Sequence, residues 1–139
     1  MVVYSFEYSL FPPYKPKPRP VVVLPFWYLD KNKTIELNAL IDSGADTSVS
    51  FKNIGEQLDI IFGGPTDDVV SGVVGSCPAW KKPINFKLGN TEFITEVLWM
   101  DKKHDADSDF PIILGRDAVF QEFDITFCRN DKVLFNDGL

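Results

Sequence analysis

Residues 34–41 place the strongest local constraint on this chain, because their apolar side chains recur at every second position. In Thr-Ile-Glu-Leu-Asn-Ala-Leu-Ile, one face of an extended strand carries Ile35, Leu37, Ala39 and Ile41. A run of β-branched and aromatic residues at 21–29 precedes this segment, and the polar residues 30–33 between them are typical of a turn. An amphipathic helix needs a period of about 3.6 residues. The pattern therefore predicts a β-hairpin with one buried face.

Short strand patterns also fill most of the remaining chain. Residues 67–80 are two apolar stretches around a glycine-containing centre, and residues 84–100 are two strands joined by Gly89-Asn90. Residues 110–114 form a short apolar strand, and residues 123–135 have the pattern of a last hairpin. Twelve Phe residues suit strands that pack through large flat side chains. The sequence therefore predicts an all-β fold, a small closed β-barrel.

Two short helices accompany these strands in the prediction. Apolar residues recur at helical spacing over residues 51–60, and Ser50 is a candidate N-cap for that helix. Residues 116–122 are long enough for about two further helical turns.

The N-terminal segment has a different composition. Five prolines stand within residues 11–20, which forbids a helix and favours an extended, exposed strap. The sequence therefore predicts a Pro-rich arm at residues 1–19 and a single domain at residues 20–139. A ligand for an SH3-type domain is the alternative interpretation of the Pro-Lys alternation.

Charge and hydropathy exclude several partners. The net charge of −6 argues against nucleic acid and against an anionic membrane surface, since both require a basic face. No apolar run approaches the roughly 18 residues that a membrane span needs, and the N-terminus lacks a charged-then-apolar leader. Cys77 and Cys128 do not make a disulfide scaffold or a metal-ligand spacing. We expect a soluble, cytoplasmic protein with two reduced thiols.

An acidic residue follows the apolar strand at residues 39–41. Asp42 comes directly after Leu40 and Ile41, and Ser43 and Gly44 follow it. Burying a carboxylate there costs several kcal/mol unless it is paired or hydrogen-bonded, so the position is a candidate functional site. The alternative is an ordinary β-turn, because Asp, Ser and Gly are common turn residues.

This Asp-Ser-Gly-Ala segment resembles the active-site loop of the retroviral-type (retropepsin-like) aspartic proteases. Residues 110–117, Phe-Pro-Ile-Ile-Leu-Gly-Arg-Asp, resemble the second signature of that family, in which an apolar strand runs beside the loop and Gly-Arg-Asp begins a short helix. The resemblance covers about residues 20–135 and implies that Asp42 is catalytic and that Arg116 pairs with Asp46. The other residues expected to support the loop are Ser43, Gly44, Ala45, Gly115 and Asp117.

A third segment, residues 69–76, resembles the flap of these enzymes, a glycine-containing hairpin that closes over the bound peptide. By this resemblance Gly72 and Gly75 let the tip bend, while Val73 and Val74 cover the substrate.

The chain has one Asp-Ser-Gly segment, whereas the reaction of this family needs two carboxylates that share one proton. The resemblance therefore implies a homodimer in which each subunit supplies Asp42, and an endopeptidase that acts on a protein or peptide substrate with water as nucleophile. No metal or other cofactor is needed. Unlike the viral enzymes, this chain continues with a full hairpin at residues 123–135, for which we expect a place in the dimer interface. Two alternatives remain: a catalytically silent dimeric peptide-binding or regulatory module, and a purely structural β-barrel.

The polar loop at residues 101–109 raises one more possibility. Asp105, Asp107 and Asp109 alternate like the start of a calcium-binding EF-hand loop. The sixth position is Phe110 and the twelfth is Arg116, where such a loop needs Gly and Glu. The pattern therefore predicts a solvated acidic loop, with His104 solvated beside it.

Overall fold

The computed structural model describes residues 2–72 and 75–138. It contains twelve strands, one α-helix and two short 3-10 turns. The strands are β1 (Val3–Glu7), β2 (Ser9–Phe11), β3 (Lys17–Arg19), β4 (Val21–Trp27), β5 (Ile35–Ile41), β6 (Ser48–Phe51), β7 (Asp68–Gly72), β8 (Gly75–Leu88), β9 (Thr91–Met100), β10 (Ile112–Leu114), β11 (Asp124–Cys128) and β12 (Lys132–Asn136). The helix α1 is Lys52–Gln57, and the 3-10 turns are Lys31–Lys33 and Val119–Gln121.

Six of these strands close into a barrel. Their order is β4-β5-β10-β6-β9-β8, and β8 pairs back onto β4 to complete the ring. Strand β7 lies outside the ring and, among the described strands, pairs with β8 alone. Strands hold 53% of the residues and helices 9%. The prediction of an all-β fold built on a small closed barrel is therefore confirmed.

The barrel interior is filled by the alternate residues of its strands. In β5 the side chains of Leu37, Ala39 and Ile41 are buried, as the period of two predicts. Trp99 and Phe86 are fully buried as well, and large aromatic side chains of this kind bury about 150–250 Å² each. This packing fixes the register of β5 and so the place where it ends.

The helical predictions need correction. Ser50 does not cap α1: it belongs to strand β6, and its hydroxyl donates to the carbonyl oxygen of Pro111 at 2.6 Å. The N-cap position of α1 is Phe51, whose side chain makes no capping hydrogen bond. The helix predicted at residues 116–122 is limited to the turn Val119–Gln121. Within the described ranges, no helix has both the length and the apolar content to cross a membrane.

The N-terminal segment is more ordered than a strap. Strand β1 pairs antiparallel with β12, which also pairs with β11, so these three strands form a second sheet. The Tyr4 ring lies over the β8–β9 turn, where a methyl group placed on Gly89 would come within 2.2 Å of it. Strands β2 and β3 form a hairpin of their own within the Pro-rich part. The division into an arm at residues 1–19 and a domain from residue 20 stays a prediction.

Candidate active site

The candidate catalytic residue Asp42 directly follows the last residue of β5. Strand β5 runs parallel to β10, with Ile41 opposite Leu114, and the Asp42 N–H donates to the Leu114 carbonyl at 3.0 Å. The carboxyl ends of parallel strands meet at one edge of a sheet. The two predicted signatures, far apart in sequence, therefore meet at this edge, where Asp42 is half-buried.

The loop after Asp42 is closed by its own hydrogen bonds. The Gly44 N–H donates to Asp42 Oδ1 at 2.9 Å, and the Ala45 N–H reaches the Asp42 carbonyl at 3.3 Å. A methyl group on Gly44 would lie 3.2 Å from Asp42 Oδ1, closer than ordinary contact. The turn therefore fixes one carboxylate oxygen, and the other, which has no hydrogen bond to residues 2–72 or 75–138, is open to a ligand, a proton or a second carboxylate.

The second signature packs directly against this loop. The Arg116 N–H donates to the Ala45 carbonyl at 2.8 Å, and a methyl group on Gly115 would lie 2.7 Å from the same oxygen. Only glycine fits at that position without a shift of the backbone. The Arg116 guanidinium forms an ion pair with Asp46, as the resemblance implied. Their side chains are 57% and 80% exposed, so the pair contributes little to stability.

Asp117 supports the loop through a residue that the sequence analysis did not single out. Its carboxylate accepts from the Ser48 N–H at 3.1 Å and from the Ser48 hydroxyl at 2.8 Å. The same hydroxyl accepts from the Gly115 N–H at 3.0 Å. Ser48 is fully buried. The sequence gives no clear signal for this role, because Ser48 and Ser50 are polar residues in a short segment without a recognised strand pattern.

A cleft of about 590 Å³ opens over Asp42. One wall is the active-site loop, and the facing wall is strand β7 of the β7–β8 hairpin. Its floor and sides include three apolar side chains from neighbouring barrel strands, which the sequence analysis did not assign: Val49, Leu98 and Ile113. Val49 and Ile113 are directly opposite in the β6–β10 pair, so their shared face could have been derived once that pairing was known.

The predicted flap segment forms this β7–β8 hairpin. Gly72 lines the cleft and pairs with Gly75 across the hairpin, next to its tip. Gly75 has a positive φ of 136°, a backbone conformation that glycine adopts readily and other residues rarely do. Val73 and Val74 lie outside the described residues. The hairpin is thus confirmed, while its action as a flap stays a prediction.

Ser43 is placed differently from its neighbours. It is exposed, and its hydroxyl makes no hydrogen bond within residues 2–72 and 75–138. Both charged side chains that line the cleft, Asp42 and Asp46, are acidic. In the part of one chain that the structure describes, the cleft therefore has the Asp42 carboxylate fixed by its own loop, and the next residue, Ser43, carries an unbonded hydroxyl outside the cleft lining.

No protein-family model matches the sequence, and no curated protein matches it. Among solved structures, a retropepsin-like aspartic protease from Rickettsia conorii is similar with a TM-score of 0.64 over 96% of this chain and 91% of that chain, at 12% identity. The EIAV protease, solved with the inhibitor HBY-793, is similar with a TM-score of 0.55 over 73% of this chain and 85% of that chain, at 26% identity. The fold of this chain is therefore that of the retropepsin-like aspartic proteases.

Proposed function

We propose that the protein is an aspartic endopeptidase, active as a homodimer in which Asp42 of each subunit forms half of the catalytic pair. The observation that carries the proposal is the position of Asp42. Asp42 directly follows a barrel strand and lines a cleft about 590 Å³ in volume, and the Gly44 N–H donates to its Oδ1 at 2.9 Å. A fixed carboxylate under an open, peptide-sized cleft is suited to acid–base chemistry on a bound peptide.

The proposal requires a homodimer because one carboxylate is not enough for this mechanism of peptide hydrolysis. Peptide hydrolysis by this mechanism needs one carboxylate that takes a proton from water and a second, protonated one that polarises the scissile carbonyl. The sequence has one Asp-Ser-Gly segment, and Asp46, the other acidic residue in the cleft, is paired with Arg116. A twofold axis beside the loop would supply the missing carboxylate from an identical chain.

In such a pair the two Asp42 carboxylates share one proton, because like charges about 3 Å apart cannot both be ionised. The attacking water lies between them, and the tetrahedral intermediate collapses when the proton passes to the leaving amine. The substrate binds in extended form between β7 and the loop, with its side chains among Val49, Leu98 and Ile113. No cofactor takes part in these steps.

Two features of the surface support dimerisation. The Ser43 hydroxyl is exposed beside Asp42 and has no partner within the described part of the chain, so it is free to bond to the loop of a second subunit. Among the described strands, β11 pairs with β12 alone, which leaves its outer edge open to another strand. This agrees with a place for the hairpin of residues 123–135 in the interface.

The test is digestion of a diverse peptide library, read by mass spectrometry from about pH 3 to about pH 7, with wild type and Asp42→Asn side by side. We expect cuts that appear with wild type alone. A folded wild-type dimer that binds peptides without cutting them would favour the peptide-binding module instead. Equal cutting by both proteins would show that the reaction does not use Asp42.

A further inference from the structure

The β2–β3 hairpin, residues 9–19, takes no part in the mechanism above, yet two contacts tie it to the neighbourhood of the cleft. At its base, the carbonyl of Pro20 accepts a hydrogen bond at 3.0 Å from the N–H of Ile41, the residue before Asp42. On its side, the Phe11 ring stacks on Phe110 with centroids 5.1 Å apart. Phe110 leads into β10, which carries a cleft residue. These contacts place the hairpin beside two segments that lead into the cleft, although none of its residues lines the cleft itself.

The strand register of the hairpin decides which of its side chains lie on the face that contacts Phe110. Phe11 is opposite Lys17, and Ser9 is opposite Arg19. Directly opposite residues of an antiparallel pair lie on the same face. Lys17 and Arg19 therefore share the face through which Phe11 contacts Phe110, and the exposed Lys15 is at the tip that joins the strands.

These three cations, here called the basic hairpin patch, have no acidic partner within residues 2–72 and 75–138. The ion pairs of the described residues belong to other cations, Lys31, Lys33 and Arg116. Arg19 is half-buried, and its Nε is a buried donor that lacks a hydrogen-bond partner in that part of the chain. Lys15 lies over the Tyr14 ring, with its Nζ 5.5 Å from the ring centroid, and keeps its charge. In a protein with a net charge of −6, three cations close in sequence and without acidic partners in the described residues are suited to bind anions.

The acidic loop next to the hairpin forms no ion pair with the patch within the described residues. It contacts the hairpin through the main chain, where the Tyr14 N–H donates to the Asp107 carbonyl at 2.9 Å. Asp105 Oδ1 accepts from the Asp107 N–H at 2.9 Å, and this bond, followed by one from the Ser108 side chain, lowers the pKa of Asp105. Asp109 Oδ2 accepts from the Asp105 N–H at 2.9 Å. The carboxylates of Asp105 and Asp109 thus bond within their own loop.

We propose that the β2–β3 hairpin is a substrate-recognition element, in which the basic hairpin patch binds acidic side chains of the peptide segment that leaves the cleft. This inference rests on the proposed function. An extended peptide advances about 3.3 Å per residue, so the acidic residues that it selects lie several positions from the scissile bond. Exposed charges interact weakly and are screened by salt, so the effect is a preference for such substrates and is largest at low ionic strength.

The first experiment compares two versions of a peptide that wild type cleaves. One carries Glu at the distal positions on one side of the scissile bond, the other carries Gln there, and each side is tested in turn. Because the twofold axis of the proposed homodimer puts one hairpin on each side of the scissile bond, we expect kcat/KM to favour the Glu peptide on either side by about fivefold at low salt, and the preference to disappear in about 0.5 M salt. The double variant K15Q/K17Q should lose this preference and keep its kcat/KM on the Gln peptide.

The matched control is K31Q/K33Q, which removes the same charge at the far end of the β4–β5 hairpin. Both lysines there form exposed ion pairs, with Glu92 and Asp59, and should be dispensable. The control should keep the wild-type preference for Glu. The inference is overturned if wild type cleaves the Glu and Gln peptides equally whichever side carries the substitutions. It is also overturned if K15Q/K17Q retains the full preference for Glu. Neither result contradicts the proposed protease activity.

A binding measurement separates this inference from the proposed function. Asp42→Asn protein is titrated with a fluorescein-labelled hexaglutamate peptide and read by anisotropy at low salt. We expect K15Q/K17Q in the same background to weaken binding about fivefold and K31Q/K33Q to leave it unchanged. If K15Q/K17Q weakens binding in this way but wild type cuts no peptide, the proposed protease activity is refuted and anion binding by the basic hairpin patch is supported. Equal binding by Asp42→Asn alone, with K15Q/K17Q and with K31Q/K33Q would overturn the proposal that the basic hairpin patch binds acidic peptides.

Discussion

The Asp117 carboxylate accepts hydrogen bonds from both the main-chain N–H and the hydroxyl of Ser48, 69 positions earlier in the chain. The same hydroxyl accepts the Gly115 N–H at 3.0 Å. The buried Ser48 therefore connects strand β6, which follows the active-site loop, to residues 115–117, which pack against that loop. The geometry of Asp42 depends on this junction, although neither side chain reaches the cleft centre.

Removal of the Asp117 carboxylate should destabilise the fold. In Asp117→Ala, the Ser48 N–H and hydroxyl lose their acceptor inside the protein, which costs about 1–3 kcal/mol. Asp117→Asn keeps one carbonyl oxygen and should cost clearly less. Urea unfolding measures both free energies. Asp131→Ala, at an exposed carboxylate, should change them by at most about 0.5 kcal/mol. Equal losses in Asp117→Ala and Asp131→Ala would refute the role of this network.

Gly115 should not tolerate even one methyl group. In Gly115→Ala the new carbon would lie 2.7 Å from the Ala45 carbonyl oxygen and 2.9 Å from main-chain atoms of Thr47. Backbone atoms cannot rotate away, so we expect a loss of about 1–3 kcal/mol and a displaced active-site loop. Thermal unfolding with peptide cleavage measures both effects. Gly63→Ala, which meets nothing within 4 Å, is the control and should be close to neutral.

The barrel hairpins could be predicted because their information is local. Strand β5 has apolar side chains at every second position, and the β8–β9 turn has Gly89 at φ of 61°, followed by Asn90. The active-site loop could be located because Asp42 follows two apolar residues. The motif resemblance then identified its partner segment at Gly115 without any knowledge of the strand pairing.

Strand β6 could not be predicted because its stability depends on distant partners. Ser48 and Ser50 are both buried, and their hydroxyls bond to groups 69 and 61 positions away. Polar residues in a short segment indicate a loop or a cap unless such partners are known. The β2–β3 hairpin could not be predicted for a related reason. Pro18 suggests a break, but it is opposite Leu10 in a two-stranded sheet, where an edge strand tolerates the missing N–H.

The ion pair between Arg116 and Asp46 should matter little for global stability despite its place in both signatures. Their side chains are 57% and 80% exposed, and exposed pairs contribute about 0–1 kcal/mol. We expect a double-mutant cycle with Arg116→Gln and Asp46→Asn to give a coupling energy below about 1 kcal/mol that decreases with added salt. A coupling of several kcal/mol would mean that the pair is buried in the functional assembly, for example by a second subunit.

Ser43→Ala should separate folding from assembly. The Ser43 side chain is exposed and makes no hydrogen bond within the described residues, so its removal should leave the stability of one chain within about 0.5 kcal/mol. If the hydroxyl bonds to the second subunit's loop, the twofold axis makes two such bonds, so the dimer should weaken by about 2 kcal/mol, or roughly 30-fold in dissociation constant. Sedimentation velocity measures this, and cleavage should fall at low protein concentration and recover at high concentration. Unchanged dimerisation with reduced turnover at every concentration would instead place the hydroxyl in contact with the substrate.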